Sequence, residues 1–237
     1  MVLKSARDFG DMEKNVNDQK RLYIVAGSNG AGKSTAVDKV AKYIPNLKKI
    51  YVNPDAIQQD SGCGPRVAGH KTIKKVEELM SQGKPNVMCE TTLAGNIPHL
   101  NLAHKYGYKI ILIFIMLDSV AQGKERVSKR KDEGGHFVER ETQERHFFYS
   151  LLNIGTVPFE CDEWRIYSNV NGGYKPVAKG QGGRIDKICD QPKFEKLASM
   201  RKDVLQNHLP DLFKAKSVQK RWLTSPSIFA STYSNVH

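Results

Sequence analysis

The feature that most constrains this chain is a glycine-rich loop between a short apolar segment and an amphipathic one. The apolar segment spans residues 22–26, and the following loop matches the pattern G-x-x-x-x-G-K-S. Glycines let such a loop turn successive backbone N–H groups toward phosphate oxygens, and the next helix adds its positive N-terminal end. The pattern therefore predicts a site for the phosphates of a nucleotide. Its residues are Gly27, Ser28, Asn29, Gly30, Ala31, Gly32, Lys33, Ser34 and Thr35.

Two side chains of this loop have defined roles in the pattern. Lys33 is expected to reach the β- and γ-phosphates of the nucleotide. The Ser34 hydroxyl is expected to ligate Mg²⁺. The sequence thus predicts binding of ATP together with Mg²⁺.

Apolar runs and helical periodicity alternate along most of the chain. Strands are predicted at residues 22–26, 50–52, 87–89, 110–117 and 164–167, and helices at 33–43, 66–82, 97–106, 119–131 and 140–152. This alternation is typical of an α/β fold of the P-loop NTPase type, with a parallel sheet of about five strands flanked by helices. Ligands of such sheets bind beyond the carboxyl ends of the strands.

Three regions are predicted along the chain. Residues 1–20 form a polar extension, and residues 21–190 form the P-loop core, with a helical lid around 124–150. Residues 191–237 form a C-terminal extension, consisting of a basic helix near 193–207 and a flexible polar tail.

Acidic residues follow two of the predicted strands. Asp55 comes after the second strand, where its carboxylate can accept a proton from a substrate hydroxyl. Alternatively, Asp55 only caps the helix that begins there. Glu90 ends the third strand and either holds a water of the Mg²⁺ shell, binds a substrate hydroxyl, or has a structural role. Asp118, after the fourth strand, is expected to be an ordinary helix cap.

A basic segment follows the fourth strand. Arg126 and Arg130 are four residues apart and share one helix face, and the turn Gly134-Gly135-His136 comes next. One interpretation is a solvated basic helix. The favoured one is a lid that brings the two arginines over the γ-phosphate to neutralise the charge of the transition state.

Composition and charge exclude several classes of protein. Lys and Arg number 37 against 25 acids, a net charge of +12 that favours polyanionic ligands. The longest apolar run, residues 110–117, is far shorter than the roughly 20 residues that span a bilayer. The N-terminus lacks the apolar stretch of a signal peptide, and the four cysteines lack metal-finger spacing. The sequence therefore indicates a cytoplasmic protein that binds no membrane.

The motifs, in this order, resemble the zeta-toxin family of P-loop kinases, especially its short bacterial branch. The segments that carry the resemblance are AGSNGAGKST (26–35), VNPDAI (52–57), AGH (68–70), ETTLAG (90–95), GYKIILIFIMLDS (107–119), ERVSKR (125–130), GGHFV (134–138) and DEWRIYSN (162–169). The resemblance implies transfer of the ATP γ-phosphate to a hydroxyl of a nucleotide sugar, most often UDP-N-acetylglucosamine, and an antitoxin partner.

The resemblance also implies roles for individual residues. Lys33 would hold phosphate and Asp55 would be the catalytic base. Glu90 and Thr92 would face the acceptor, while Arg126, Arg130 and His136 would belong to the lid. Two positions depart from the short branch, which usually has Arg at His70 and Pro at Glu139.

Three functions remain open from the sequence. The first is a kinase of UDP-N-acetylglucosamine or of another nucleotide or dinucleotide. The second is an RNA or nucleic-acid kinase, which the net charge favours, although the chain lacks the aromatic platform of RNA-recognition sheets. The third is a nucleotide switch, which would need a residue that positions water. Asp55 suits a hydroxyl acceptor better.

Overall fold

The computed structural model describes residues 19–44, 50–95, 97–132, 138–170, 173–212 and 223–233, without the side chains of 130–132, 210, 211 and 233. Most of the predicted N-terminal extension, the GGH turn with His136, and the side chain of Arg130 therefore lie outside the described part of the chain.

The centre of the fold is one mixed sheet. Its strands are β1 (Arg21–Ala26), β2 (Tyr51–Val52), β3 (Asn86–Thr91), β4 (Lys109–Met116), β5 (Glu163–Val170), β6 (Gly173–Gln181) and β7 (Arg184–Ile188). They lie in the order β2-β3-β1-β4-β5-β6-β7. The strands β1 to β5 are parallel, whereas β6 and β7 form an antiparallel extension. The predicted α/β fold is confirmed, and the sheet is two strands wider than the sequence suggests.

Within the described residues, the first six α-helices connect the parallel strands, and three more follow β7. They are α1 (Lys33–Val40), α2 (Pro54–Ser61), α3 (Pro65–Ser81), α4 (Pro98–Tyr106), α5 (Val120–Asp132), α6 (Arg140–Ile154), α7 (Gln191–Asp203), α8 (Leu209–Leu212) and α9 (Ala230–Tyr233). Prolines begin α2, α3 and α4, where the first turn needs no amide donor. Within the described ranges, no helix is long and apolar enough to cross a bilayer.

The core is built around the two central strands. Every residue of β4 except Lys109 is buried, and so is every residue of β1 except Arg21. A parallel strand covered on both faces needs such a continuous apolar run. Each large apolar side chain buried there contributes about 1.5–3 kcal/mol relative to its exposed state.

The C-terminal region packs against this core. In the segment for which a flexible polar tail is predicted, Ile228 and Phe229 are buried. The Phe229 ring lies 5.1 Å from that of Phe194 on α7, and the Ile228 amide donates to the Gly155 carbonyl at 3.0 Å. The prediction of a flexible tail is wrong for this stretch, because its two large apolar residues bury themselves against α7.

Asp118 has a different role from the predicted one. Its carboxylate binds the Lys193 ammonium of α7, with both oxygens 2.6 Å from Nζ. Burial acts to raise the pKa of Asp118, but hydrogen bonding and the charges of Lys193 and Lys196 outweigh it and lower the pKa. The Ser119 hydroxyl instead accepts from the Gln122 amide at 3.2 Å. The prediction that Asp118 is a helix cap is therefore wrong, and Asp118 attaches α7 to the end of β4.

Candidate active site

The loop after β1 has a backbone conformation that favours glycine. Gly27 and Gly32 have φ angles of 144° and 93°. A Cβ atom on Gly27 would lie 2.4 Å from the Ile115 carbonyl oxygen, and one on Gly32 would lie 2.4 Å from Asn169 Nδ2. Helix α1 begins directly afterwards at Lys33, with no side-chain cap from the described residues. Its first amides can therefore bind an anion.

Two side chains from β5 and β6 brace this loop. Asn169 Nδ2 donates to the Ala31 carbonyl at 2.9 Å, and the Tyr174 hydroxyl donates to the Gly32 carbonyl at 2.6 Å. Sequence reasoning assigned neither side chain this role. Asn169 lies at the carboxyl end of β5, where the strand-end rule could have found it. Tyr174 gives no such signal, because β6 is not predicted.

Two adjoining spaces open at the carboxyl edge of the sheet. The P-loop pocket, of about 240 Å³, is lined by Asn29, Gly30, Gly32, Lys33, Ser34, Thr35, Asp55, Glu90, Arg126 and Val127. A larger space, here called the acceptor cleft, has a volume of about 700 Å³. Asn29, Lys33, Asp55 and Glu90 line both spaces. All the residues that line the P-loop pocket, except Val127, were predicted from the loop motif, the strand ends or the basic segment.

The chemistry of Ser34, Glu90 and Tyr51 fits a hydrated Mg²⁺. The Ser34 hydroxyl lies 3.3 Å from Glu90 Oε2, and the Tyr51 hydroxyl donates to Glu90 Oε1. Burial and the adjacent Glu90 raise the pKa of Tyr51, so its phenol stays protonated. Mg²⁺ is commonly bound by one or two carboxylates, substrate phosphates and waters. Within the described ranges, no group of three His, Cys, Asp or Glu side chains could hold a metal ion.

Asp55 faces the cleft and does not cap a helix. Helix α2 is capped by Asn53, whose Oδ1 accepts from the Asp55 amide at 2.9 Å. Asp55 is the second residue of the helix, and its exposed side chain lines both spaces. The alternative in which Asp55 serves only as the cap is therefore wrong.

Helix α5, for which a lid role is predicted, reaches the P-loop through Arg126. Its Nη1 lies 3.4 Å from the Gly30 carbonyl oxygen and its Nη2 lies 3.2 Å from that of Asn169. A close approach of Gly123 to the loop makes this contact possible, since a Cβ on Gly123 would lie 2.9 Å from the Asn29 carbonyl oxygen. Arg126 is thus held beside the loop, and the interpretation of α5 as only a solvated helix does not fit this contact.

The chain after β3 forms one wall of the acceptor cleft. Thr91 and Thr92 line the cleft, and the next residue, Leu93, is buried with a φ of 57°. A non-glycine residue in this left-handed region is uncommon and carries strain. The Leu93 carbonyl accepts from Asn153 Nδ2 of α6 at 2.6 Å. Helix α6 therefore fixes the backbone that positions Thr92.

Helix α6 also contacts the P-loop through His146, which sequence reasoning missed. Its Nδ1 lies 2.8 Å from Asn29 Oδ1, and its ring lines the acceptor cleft. Burial, reinforced by the charges of Arg145 and Lys33, lowers the pKa of His146 to about 4. The ring is therefore neutral near pH 7, and Nδ1 carries the proton that it donates to the amide oxygen. No spacing in the sequence pairs residue 146 with residue 29.

The neutral histidines predict a specific pH dependence of stability. Burial lowers the pKa of His99 to about 4 as well. In the unfolded chain these two histidines take up protons near pH 6.5, whereas in the native protein they do so only near pH 4. Between these pH values, protonation favours the unfolded chain, so these residues should lower the stability of the fold as the pH falls. We expect the free energy of unfolding of His99→Gln to fall less between pH 7.5 and 5 than that of wild type, measured by urea denaturation. The exposed His104 of the same helix is the control, and a His99→Gln slope equal to that of His104→Gln would contradict the prediction.

The fold and the site together define the class. A glycine-rich loop leads from a central parallel strand into a helix, and carboxylates from neighbouring strand ends border the same pocket. This is an α/β P-loop fold.

Comparison with solved structures gives the same fold, although no protein-family model and no curated protein matches the sequence. A chain in the AvrRxo1-ORF1:AvrRxo1-ORF2 complex with ATP is 16% identical with a TM-score of 0.61, covering 98% of this chain and 85% of that one. The same complex with sulphate ions gives 17% identity and a TM-score of 0.60, with coverage of 91% and 80%. A chain from the PezAT chromosomal toxin–antitoxin system of Streptococcus pneumoniae is 15% identical with a TM-score of 0.54, covering 90% of this chain and 89% of that one. These likenesses confirm the fold that the zeta-toxin resemblance implies.

Proposed function

We propose that this protein is an ATP-dependent kinase that transfers the γ-phosphate to a hydroxyl group. The observation that carries the proposal is the shared lining of the two spaces. Lys33 belongs to the phosphate loop and Asp55 follows β2, yet both border the P-loop pocket and the acceptor cleft. A donor phosphate and an acceptor hydroxyl could therefore meet between them.

The residues support a transfer in which each has a defined part. The loop amides and Lys33 hold the phosphates, while Ser34 and Glu90 would hold Mg²⁺. When bound, Mg²⁺ neutralises charge on the phosphate oxygens. The acceptor oxygen forms a bond to the γ-phosphorus as the bond to the bridging oxygen of ADP breaks. Asp55 accepts the proton of the hydroxyl, which balances the reaction.

UDP-N-acetylglucosamine is the acceptor that we propose to test first. The resemblance to zeta toxins supports this choice, and a toxin–antitoxin system is among the structures that share the fold. The two residues that differ from the usual pattern of the short zeta-toxin branch, His70 and Glu139, lie in different places. Glu139 lines the acceptor cleft, whereas His70 is an exposed residue of α3. A different nucleotide, dinucleotide or RNA end is the alternative acceptor.

The deciding experiment is incubation of the protein with Mg-ATP and a panel of acceptors. The panel contains nucleotide sugars, dinucleotides and RNA ends, and mass spectrometry detects a gain of one phosphate. Transfer to a hydroxyl of any of these supports a kinase. ATP consumption without a phosphorylated acceptor in the whole panel would contradict it.

We further propose that the protein acts in the cytoplasm and has a neutralising protein partner. Two of the solved structures that share the fold are complexes named for two gene products, and a third belongs to a toxin–antitoxin system. Toxicity on expression of the chain, relieved by a neighbouring gene, would support the partner.

Arg126 should act mainly on the rate of transfer. A charge-assisted hydrogen bond contributes about 1.5–3 kcal/mol, so Arg126→Ala should lower kcat roughly 10- to 100-fold if its guanidinium moves onto the transferring phosphate. The KM for ATP should change much less. Steady-state kinetics test this, with the exposed Lys129 of the same helix as the control for lost charge. Equal kinetics for Arg126→Ala and Lys129→Ala would contradict a role of Arg126 in transfer and leave it a structural contact of the loop.

A further inference from the structure

His99 is an unusual side chain in the wall of the acceptor cleft. It is the second residue of α4 and is only 7% exposed. Neither of its ring nitrogens has a hydrogen-bond partner within the described part of the chain. Its ring nevertheless borders the cleft together with Thr72, Glu90 and Thr92.

An unpartnered buried imidazole costs stability. Nearly all buried polar groups in proteins have a hydrogen-bond partner, and each exception needs a reason. Leaving a buried donor or acceptor unsatisfied lowers the stability of the folded state. A phenylalanine would fill similar space without that cost, so packing does not explain a histidine here.

In the part of the chain that the structure describes, no neighbouring side chain supplies the missing partner. The Thr72 hydroxyl donates to the Ala68 carbonyl of its own helix at 2.8 Å, and the Thr91 hydroxyl accepts from the Leu93 amide at 3.1 Å. Rotation of the imidazole about its Cβ–Cγ bond, a torsion with broad preferences, would turn a ring nitrogen toward the cleft. A polar group of a molecule bound in the cleft could then supply the partner.

The charge of this wall indicates what kind of group would bind. We use "α3–α4 wall" for Ala68, Gly69, Thr72, Ile73, Pro98 and His99, which line the cleft. The wall carries no charged side chain. Among the described residues that line the cleft, the positively charged one is Lys33 of the P-loop, because the rings of His99 and His146 are neutral near pH 7. An anion would find no counter-charge at the α3–α4 wall.

We propose that His99 is a specificity-determining residue that hydrogen-bonds an uncharged amide or lactam group of the acceptor at the α3–α4 wall. The inference rests on the proposed kinase function, whose acceptor it narrows. A neutral imidazole offers one N–H donor and one nitrogen acceptor, so the nitrogen that faces the cleft can bond to either the C=O or the N–H of an amide. A site built on such a bond discriminates strongly against molecules that lack the group.

The test compares His99→Phe and His99→Gln with wild type. Acceptor KM, kcat, ATP affinity and Tm are measured with UDP-N-acetylglucosamine and with UDP-glucose, which keeps the uracil lactam but lacks the N-acetyl amide. We expect His99→Phe to raise the acceptor KM at least about 10-fold, with ATP affinity unchanged. His99→Gln, which keeps a donor and an acceptor, should retain part of the affinity. A loss with both acceptors identifies the lactam, and a loss with the N-acetyl sugar alone identifies its amide.

Two matched controls make the result specific. His104→Phe changes an exposed histidine of the same helix and should leave the acceptor KM unchanged. Gly69→Leu adds a side chain where no atom would lie within 4 Å of the new Cβ, so it should fill the cleft and raise the acceptor KM without affecting ATP. An effect of Gly69→Leu without one of His99→Phe would overturn the role of His99.

Thermal unfolding without ligands separates failure of this inference from failure of the proposed function. Removing the unpartnered nitrogens should raise the Tm of His99→Phe by a few degrees. If wild type phosphorylates neither acceptor, the UDP-sugars tested are not its substrates. The Tm comparison would still test whether the His99 nitrogens are unpartnered. A lower Tm for both His99→Phe and His99→Gln, or a wild-type acceptor KM in His99→Phe, would overturn the inference.

Discussion

Lys33→Ala should abolish phosphate transfer almost completely while the protein remains folded. We expect kcat/KM to fall by about 10³-fold or more, because the ammonium group stabilises charge that accumulates on the phosphate oxygens in the transition state. Lys33 borders both the P-loop pocket and the acceptor cleft. Its Nζ donates to the Ser28 carbonyl at 3.2 Å, which keeps it inside the loop.

The fold should tolerate this substitution. The loop conformation depends on backbone contacts and on the Asn169 and Tyr174 bonds to the Ala31 and Gly32 carbonyls. The Lys33 side chain adds a bond to the Ser28 carbonyl, but the bonds from Asn169 and Tyr174 do not depend on it. We therefore expect a Tm within a few degrees of wild type.

The measurement combines single-turnover transfer with ATP titration calorimetry. Lys42→Ala, an exposed lysine just beyond α1, controls for the loss of one positive charge. Transfer by folded Lys33→Ala at a rate near that of Lys42→Ala would reject the assignment of this loop as the phosphate site.

The sequence predicts the phosphate side of the site well because that chemistry is local. Gly27, Gly32 and Lys33 follow one another along a single turn, and the φ angles of the glycines are required by the backbone itself. Asp55 and Glu90 were predictable by a further rule, since the carboxyl ends of parallel strands meet at one edge. Both rules use only residues that are neighbours along the chain or that end neighbouring strands of the sheet.

Contacts between distant elements were not predictable. His146 reaches Asn29 across 117 positions of sequence, and Tyr174 reaches Gly32 across 142. Tyr51 contacts Glu90 because β2 pairs with β3, which no periodicity reveals. His99 is similar, since only the packing of the folded chain leaves its nitrogens buried without a partner.

The missed strand β6 has a particular cause. It contains Pro176, and a proline inside a run argues against a central strand. In the structure, Pro176 pairs with Tyr167 of β5 beside an irregularity in the register, whereas the pairing of β6 with β7 begins at Ala178. The proline therefore lies where β6 has a partner on one side, and the missing amide costs little.

Asp55→Asn should uncouple ATP binding from phosphate transfer. The substitution keeps the size of the side chain but removes most of its ability to accept a proton. A general base contributes about 10²–10⁴-fold to a reaction, and we expect transfer to fall in that range. ATP affinity should stay near that of wild type, because the loop amides, Lys33 and Ser34 are unchanged. Slow hydrolysis of ATP can persist, since water can attack with a different geometry.

The cap of α2 determines what we expect for the free energy of unfolding of the Asp55 variants. Asn53, and not Asp55, caps α2. Asp55→Ala should therefore change the free energy of unfolding by no more than about 0.5 kcal/mol, as for a surface substitution. Asn53→Ala should lose about 1 kcal/mol through the missing cap. Any loss of transfer in Asp55→Ala would then be chemical in origin.

The measurement pairs acceptor phosphorylation with ATP affinity for wild type, Asp55→Asn and Glu90→Gln. Glu90 is the matched control, because it is buried against Ser34 and Tyr51 and should act through Mg²⁺. Glu90→Gln should raise the Mg²⁺ concentration needed for half-maximal transfer, whereas Asp55→Asn should leave that concentration unchanged and lower only the rate of transfer. Near-normal transfer by Asp55→Asn would show that the proton goes elsewhere. In that case, a large loss of transfer in Glu90→Gln without a change in the Mg²⁺ requirement would identify Glu90 as the base.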